Sequence, residues 1–474
     1  MSTYETVIGL EVHAELATET KIFCGCSTKF GEEPNSNVCS ICLGMPGTLP
    51  VLNKRALELA IKTGLALDCE IATFSKFDRK NYFYPDLPKA YQISQYDLPV
   101  CKNGYLNIHV QGQEKQVRIN RIHMEEDAGK LVHSNRGGSL VDFNRSGVPL
   151  IEIVTEPDIS SPEEAKAFLE ALKAILQYTE VSDCKMEEGS LRCDANVSIR
   201  PKGSSELGTK TEVKNMNSFR AVERALKFEI DRQVQEIQAG GSIVQETRRW
   251  NEDKGVTVSM RTKEEAHDYR YFPDPDLVPV VLKQDHIDKI KGEIPELPLE
   301  KKDRFMKAYQ LSEYDASVIT ADKSLADFFD TCVEAYNDPK KVANWVMGEI
   351  SRVLNEDLVE ISETNLTPDL MVELFKLEAD GTISSKIAKE VFDDMYKTGK
   401  SPKTIVEEKG LVQISDTSEL EGIIDEVIEE NPGAVEDYRN GKGKAMGFLV
   451  GQVMKKTKGK ANPQMVNELL QKKL

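Results

Sequence analysis

The chain has 474 residues and a formal net charge of −18, which excludes a general nucleic-acid coating protein and leaves room only for a local basic patch. Such a length exceeds one ordinary core and implies two or three domains. No apolar run approaches the ~20 residues that span a bilayer, and the acidic start Met1-Ser2-Thr3-Tyr4-Glu5 carries no signal or transit pattern, so a cytoplasmic protein without membrane contact is expected.

Residues 4–16 read as a strand in which Glu11, His13 and Glu15 alternate with apolar neighbours, the period that projects them from one face. The loop that follows holds Cys24-Gly25-Cys26 and Cys39-Ser40-Ile41-Cys42. Two such thiolate pairs can close a tetrahedron around a structural Zn²⁺; the alternative is four small buried hydrophobes. Nine cysteines, an odd number with four crowded together, fit a reduced metal site better than a disulfide framework. Asn53 caps a helix with the stripe Ala56, Leu57, Ala60, Ile61 and Leu65.

Between Tyr105 and Ile122 apolar residues alternate about Gly112, the pattern of a β-hairpin. Its second strand delivers His123-Met124-Glu125-Glu126-Asp127. Successive carboxylates repel unless a cation sits among them, and Mg²⁺, an oxygen-seeking ion that bridges carboxylates to phosphates, would answer; a solvated acidic turn is the alternative. In Pro149–Glu156, Glu152 interrupts an apolar strand and calls for a nearby cation. Ser161-Pro162-Glu163-Glu164 is a capped helix start. Strands follow near Ala195–Ile199 and Thr211–Lys214, and then a helix from Ser218 towards Gly240.

Strand and helix mix up to about residue 290; beyond the proline-spaced linker Ile294–Pro298 all is helix, with cap-plus-proline starts at Thr367-Pro368 and Ser401-Pro402. The tail from about Gly441 is rich in lysine, including Lys442, Lys444, Lys455, Lys456, Lys458 and Lys460.

Two stretches, Asp78–Asp86 and Asp268–Asp276, set cations and rings beside carboxylates, with Arg79, Lys80, Tyr82, Tyr84 and Arg270 as candidates for stacking a base and holding phosphates. Structural turns with packed tyrosines are the alternative. Glu188, Arg192, Asp194, Lys214 and Asn215 would line a polar cavity. Neither a phosphate-binding P-loop nor a serine nucleophile elbow is present.

The segments Ile8–His13, Phe77–Pro85, His123–Lys130, Met186–Asp194, Ser384–Lys389 and Gly441–Gly451 closely resemble the B subunit of the bacterial aspartyl/glutamyl-tRNA amidotransferase, in order and nearly end to end. The resemblance implies an α+β fold: a cradle of twisted, largely antiparallel sheet over residues 1–292, a helical domain over 293–406, and a small helical tail over 407–474 that binds tRNA through Lys442, Lys444, Lys455 and Lys456. It implies an enzyme that uses ATP and Mg²⁺ to phosphorylate the side-chain carboxylate of Glu on tRNA(Gln) or Asp on tRNA(Asn). Ammonia from a glutaminase A subunit then displaces phosphate, and a small C subunit clasps the two. On this reading His13, Glu126 and Glu152, assisted by Glu11 and Glu125, hold Mg²⁺, and Cys24, Cys26, Cys39 and Cys42 hold Zn²⁺. A non-catalytic tRNA-binding adaptor is the alternative.

Overall fold

The structure, a computed structural model, describes residues 3–133, 137–262, 269–411, 417–457, 461 and 463–474. The chain divides into two compact units, Met1–Lys301 and Lys302–Leu474. The first contains, in order, β1 (Tyr4–Glu15), α1 (Lys54–Ala66), β2 (Glu70–Ile71), β3 (Phe74–Ser75), β4 (Asp78–Asn81), β5 (Tyr91–Ser94), β6 (Cys101–Val110) and β7 (Gln113–Glu126). It continues with β8 (Lys130–His133), β9 (Ser139–Asp142), β10 (Pro149–Thr155), α2 (Pro162–Tyr178), β11 (Leu191–Pro201), β12 (Thr211–Lys214) and α3 (Phe219–Gln238). After these come β13 (Glu246–Asn251), β14 (Val256–Thr262), β15 (Phe272–Pro273), β16 (Val280–Val281) and α4 (Gln284–Gly292).

Nine strands form one sheet in the order β14-β13-β12-β11-β1-β10-β7-β6-β2. Its pairs are antiparallel except β12 with β13. The expected α+β fold with a largely antiparallel sheet is therefore present, with one parallel step near the sheet's edge. Period-2 alternation in β1 sends Ile8, Leu10, Val12 and Ala14 into the core formed with α1, α2 and α3, where all four are fully buried. Glu11, His13 and Glu15 consequently stand on the opposite face.

Helix starts follow from their caps. Asn53 Oδ1 accepts from Arg55 N and Ala56 N, Ser161 Oγ from Glu164 N, and Ser218 Oγ from Ala221 N, satisfying amides that an α-helix leaves unpaired. The hairpin between β6 and β7 turns on Gln111 and Gly112, both at positive φ (52° and 76°), which matches the twist of the flanking strands.

A change of side occurs within β7. Val117 and Ile119 are core residues, and so are Ile122 and Met124, so the inward side passes from odd to even positions. The cause is a β-bulge: β10 pairs Val154 with Arg121 but Thr155 with Ile119, leaving Asn120 unmatched. Unbroken alternation from Ile119 would have driven His123 and Glu125 into the core; the extra residue delivers them to the polar face.

The second unit is helical. Thr367 and Ser401 cap their helices as expected, accepting from Leu370 N and Thr404 N. The tail holds its own buried cluster of Leu420, Ile424, Val427, Leu449, Val453, Val466 and Leu470. Among the described residues, no helix is long and apolar enough to cross a membrane.

Candidate functional site

Antiparallel register builds a row across four strands. His13 on β1 faces Arg192 on β11 and Glu152 on β10, and Glu152 faces His123 on β7. The imidazole Nε2 of His13 lies 3.4 Å from both Glu125 Oε1 and Glu152 Oε2. From the other side, His123 Nε2 lies 3.3 Å from Glu152 Oε2 and 3.5 Å from Glu125 Oε2. Burial opposes charge on the His123 ring, but hydrogen bonds from it to Glu125 and Glu152 and their negative charges outweigh that and raise its pKa to about 9. His13 is raised by the same balance. Burial likewise disfavours ionised Glu125 and Glu152, yet the imidazoles hold both carboxyls below their ordinary range.

A buried and a half-buried carboxylate thus share their compensating charge with two rings. Donor atoms of His13, Glu125 and Glu152 all lie within 4.8 Å of one another, and His123 Nδ1 is buried with no hydrogen-bond partner among the described residues. This donor set fits a hard divalent cation, which would replace the ring protons as the positive partner.

The expected ligand Glu126 is not in this cluster. Adjacent strand residues point to opposite faces, and Glu126 accepts from Lys89 Nζ at 2.6 Å and Ile93 N at 2.8 Å on the far side. Its place is taken by Glu125. Glu11 stands one cross-strand pair along from His13, opposite Asp194, and accepts from Asn196 Nδ2 at 2.9 Å; it adjoins the cluster without entering it.

Of the cavity candidates, Arg192 donates to Asp127 at 2.8 Å, beside Glu15, whose carboxyl is pushed up to about 8 by burial and by the Asp127 charge. Lys214 bridges Asp194 and Glu212. Asn215 leaves β12 at φ 67° and donates to Trp250 O. Glu188 instead pairs with Lys185 at 3.3 Å in the turn before β11.

The small sheet β15-β4-β5 supplies the aromatic residues. Arg79 donates to Asp274 and Asp276 at 2.8 Å each and lies 4.3 Å over the Tyr91 ring, so it is committed to internal partners. Lys80 sits over Tyr82 and Tyr269. Tyr82 and Tyr271 are raised by burial and then by the Glu125 charge, and Tyr271 stacks on Tyr96 at 4.3 Å. Tyr84 is exposed. Arg270, at φ 45°, offers its carbonyl to Asn81; Asp268 lies outside the described residues.

Cys24, Cys26, Cys39 and Cys42 bring their sulfurs within 4.8 Å of one another, the donor set of a closed tetrathiolate zinc site. Beside them Lys21 is fully buried, its Nζ 3.7 Å from Cys42 Sγ and 3.2 Å from Phe143 O. In the tail, Lys442 pairs with Asp437 and Lys456 with Glu426 and Glu430. Lys444 and Lys455 are exposed, and Lys458 and Lys460 lie outside the described residues.

Sequence reasoning placed the His123 imidazole at the head of the acidic run but did not count it among the site residues, and it gave Lys21 no role. The slip from Ile119 to Ile122 and Met124 was the available signal for the first; an isolated lysine in a cysteine loop offered none for the second.

A family model described as the GatB/GatE catalytic domain matches residues 6–288, and one described as the GatB domain matches residues 327–474. The chain is 64% identical over 471 residues to the B subunit of the aspartyl/glutamyl-tRNA(Asn/Gln) amidotransferase of Thermoanaerobacter sp. (strain X514), covering 99% of each chain. It is 61% identical to the protein of the same name from Carboxydothermus hydrogenoformans, covering 100% of this chain and 99% of that one. The Moorella thermoacetica protein of that name is 60% identical, at 99% and 100% coverage. With matches of this length and identity, the chain belongs to the family of aspartyl/glutamyl-tRNA(Asn/Gln) amidotransferase B subunits.

Proposed function

We propose that this chain is the catalytic B subunit of the aspartyl/glutamyl-tRNA amidotransferase, using ATP to activate the side-chain carboxylate of Glu-tRNA(Gln) or Asp-tRNA(Asn). The observation that carries the reading is the His13–Glu152–His123 row with Glu125, set on a polar sheet face rather than in the core. A substrate carboxylate oxygen attacks the γ-phosphorus, ADP departs, and the resulting acyl phosphate has a leaving group that free carboxylate lacks. Ammonia then attacks the carbonyl carbon and phosphate leaves with its electron pair, giving the side-chain amide.

In this reading His13, Glu125 and Glu152 hold Mg²⁺, which supplies charge neutralisation for the nucleotide phosphates. His123 keeps both carboxylates turned towards that position from behind, as outer partners do in metal sites. Tyr82 and Tyr271, which feel the Glu125 charge, and Lys80 over the Tyr82 ring are assigned to the aminoacyl end. No amidase nucleophile motif is present in the chain, so ammonia comes from the glutaminase A subunit, with the C subunit completing a cytoplasmic heterotrimer. Residues 1–292 form the catalytic domain, 293–406 the helical domain and 407–474 the tRNA-binding tail. The four cysteines hold a structural Zn²⁺.

The test is phosphate release by the assembled heterotrimer with aminoacyl-tRNA. Glu152→Gln keeps the volume and removes the charge, so ATP-dependent release should fall at least ~100-fold while glutamine hydrolysis at the partner's site continues. Unaltered transamidation in that variant would return the chain to the role of a tRNA adaptor.

A further inference from the structure

The knuckle of Cys24, Cys26, Cys39 and Cys42 stands at one end of a hydrogen-bonded path that reaches the His13–Glu125–Glu152 cluster. The loop between the two cysteine pairs grips the turn that follows β9. Asn35 Oδ1 accepts from Phe143 N at 2.8 Å, and the Asn144 side chain accepts from Asn37 N and donates to Glu33 O, each at 2.7 Å. From beside the sulfurs, Lys21 Nζ donates to Phe143 O at 3.2 Å and Ile22 N to Gly147 O at 2.9 Å. On its other side the same turn holds Asp127. Gly147 N donates to Asp127 O and Asp127 N to Val148 O, each at 2.9 Å, while Arg145 donates to Ala128 O and Gly129 O. Asp127 accepts from Arg192 at 2.8 Å, and Arg192 faces His13 across β1 and β11.

Exposure singles out the same end of the path. Among the nine free cysteines, Cys24, Cys26 and Cys39 are partly exposed, whereas Cys42 beside them and all those outside the knuckle are buried. Oxidants in solution select thiolates by exposure and charge, so they act at the knuckle first. We propose that the knuckle is a thiol-oxidation site that sets the Mg²⁺ affinity of the His13–Glu125–Glu152 cluster. The proposal rests on the reading of that cluster as the Mg²⁺ site and adds its control. The oxidant is a peroxide. Two molecules of hydrogen peroxide take four electrons from the four thiolates and four protons from solvent; two S–S bonds form, two O–O bonds break, and four water molecules result. Disulfide sulfur carries no charge to hold a cation, so Zn²⁺ leaves. Lys21 then loses the negative sulfur at 3.7 Å and keeps, at full burial, the neutral Phe143 O. An ammonium so placed is costly, and its departure to solvent frees the turn from the knuckle. The loop that grips Phe143 and Asn144 shifts with the sulfurs that anchor it. Asp127 and Arg192 thereby lose the backing that aligns His13.

The test titrates hydrogen peroxide into the zinc-loaded, full-length chain. A chromogenic chelator reads the released zinc, and mass spectrometry after alkylation reads the disulfides. Mn²⁺ binding, as a stand-in for Mg²⁺, is read by paramagnetic resonance after gel filtration. Zinc should be released in step with peroxide at the two-to-one ratio above. The oxidised protein, with its far-UV circular dichroism unchanged, should bind Mn²⁺ about tenfold more weakly. A thiol reductant with added Zn²⁺ should restore the affinity, a reversal that methionine oxidation would not show. Asn144→Ala removes two hydrogen bonds of the grip and should weaken Mn²⁺ binding in the same direction with zinc and thiols intact; it tests the path if the oxidised protein is short-lived. Zinc kept and thiols reduced at excess peroxide, or Mn²⁺ binding unchanged once zinc has gone, overturns the proposal. So does loss of the far-UV signal together with zinc, which would make the knuckle a support of the fold alone. A reduced, zinc-loaded chain that binds no Mn²⁺ overturns instead the reading of the cluster as a metal site.

Discussion

Glu125 and Glu126 are neighbours in the chain and face opposite sides of the sheet: Glu125 meets His13 and His123, whereas Glu126 is held by Lys89 and Ile93 N. Substituting each by Gln therefore separates two roles. Glu125→Gln should weaken Mn²⁺ binding, read by paramagnetic resonance as a stand-in for Mg²⁺, with little change in melting. Glu126→Gln should leave Mn²⁺ binding unchanged but destabilise by about 1–3 kcal/mol in denaturant titration, because the Lys89 ammonium loses its charged partner. The opposite pattern would put Glu126 back at the metal.

Lys21 and Cys42 form the second informative contact. A fully buried ammonium is tolerated only beside negative charge, and Cys42 Sγ supplies it at 3.7 Å; a tetrathiolate around Zn²⁺ carries two excess negative charges that the lysine partly offsets. Lys21→Met preserves length and apolar packing. Zinc affinity, measured by competition with a chromogenic chelator, should fall about 10–100-fold, and Lys21→Arg should recover part of it. Equal zinc retention in all three proteins would make Lys21 a bystander. Stoichiometry of one zinc per chain is the accompanying expectation.

Asn120 is the extra residue that re-aims β7. Deleting it removes the bulge together with the residue that fills it, so Ile122 and Met124 stay in the core and His123 and Glu125 stay on the polar face. The deletion variant should therefore fold and still bind Mn²⁺, read by paramagnetic resonance; a folded deletion variant that has lost Mn²⁺ binding would show that the bulge shapes the site beyond choosing which face its residues take.

The tail lysines divide by partner. Lys442 and Lys456 have carboxylates within 2.8 Å, whereas Lys444 and Lys455 are exposed and show no ion pair among the described residues. Lys444→Glu and Lys455→Glu should each weaken tRNA binding and lower the salt slope by about one unit per lost phosphate contact. Lys442→Ala and Lys456→Ala should do less. Removing everything beyond residue 406 should abolish the salt-dependent component while glutamine hydrolysis at the partner's site survives. An unchanged salt slope after that truncation would place tRNA binding elsewhere in the chain.

Local patterns in the sequence determined much of this protein. Alternation in Tyr4–Glu15, the cap residues Asn53, Ser161 and Ser218, the turn at Gly112 and the paired cysteines each act over a few neighbouring residues, so their outcome is legible without the rest of the chain. Tertiary structure alone decided which carboxylate joins His13. That choice depends on where β7 slips against β10, a register set by strands far apart in sequence, and a one-residue slip reverses every later side chain. The same holds for the burial of Lys21 and for the turn that joins the knuckle to Asp127. Each exists because backbone segments remote in the chain converge or part, and no local preference of the residues themselves encodes that meeting.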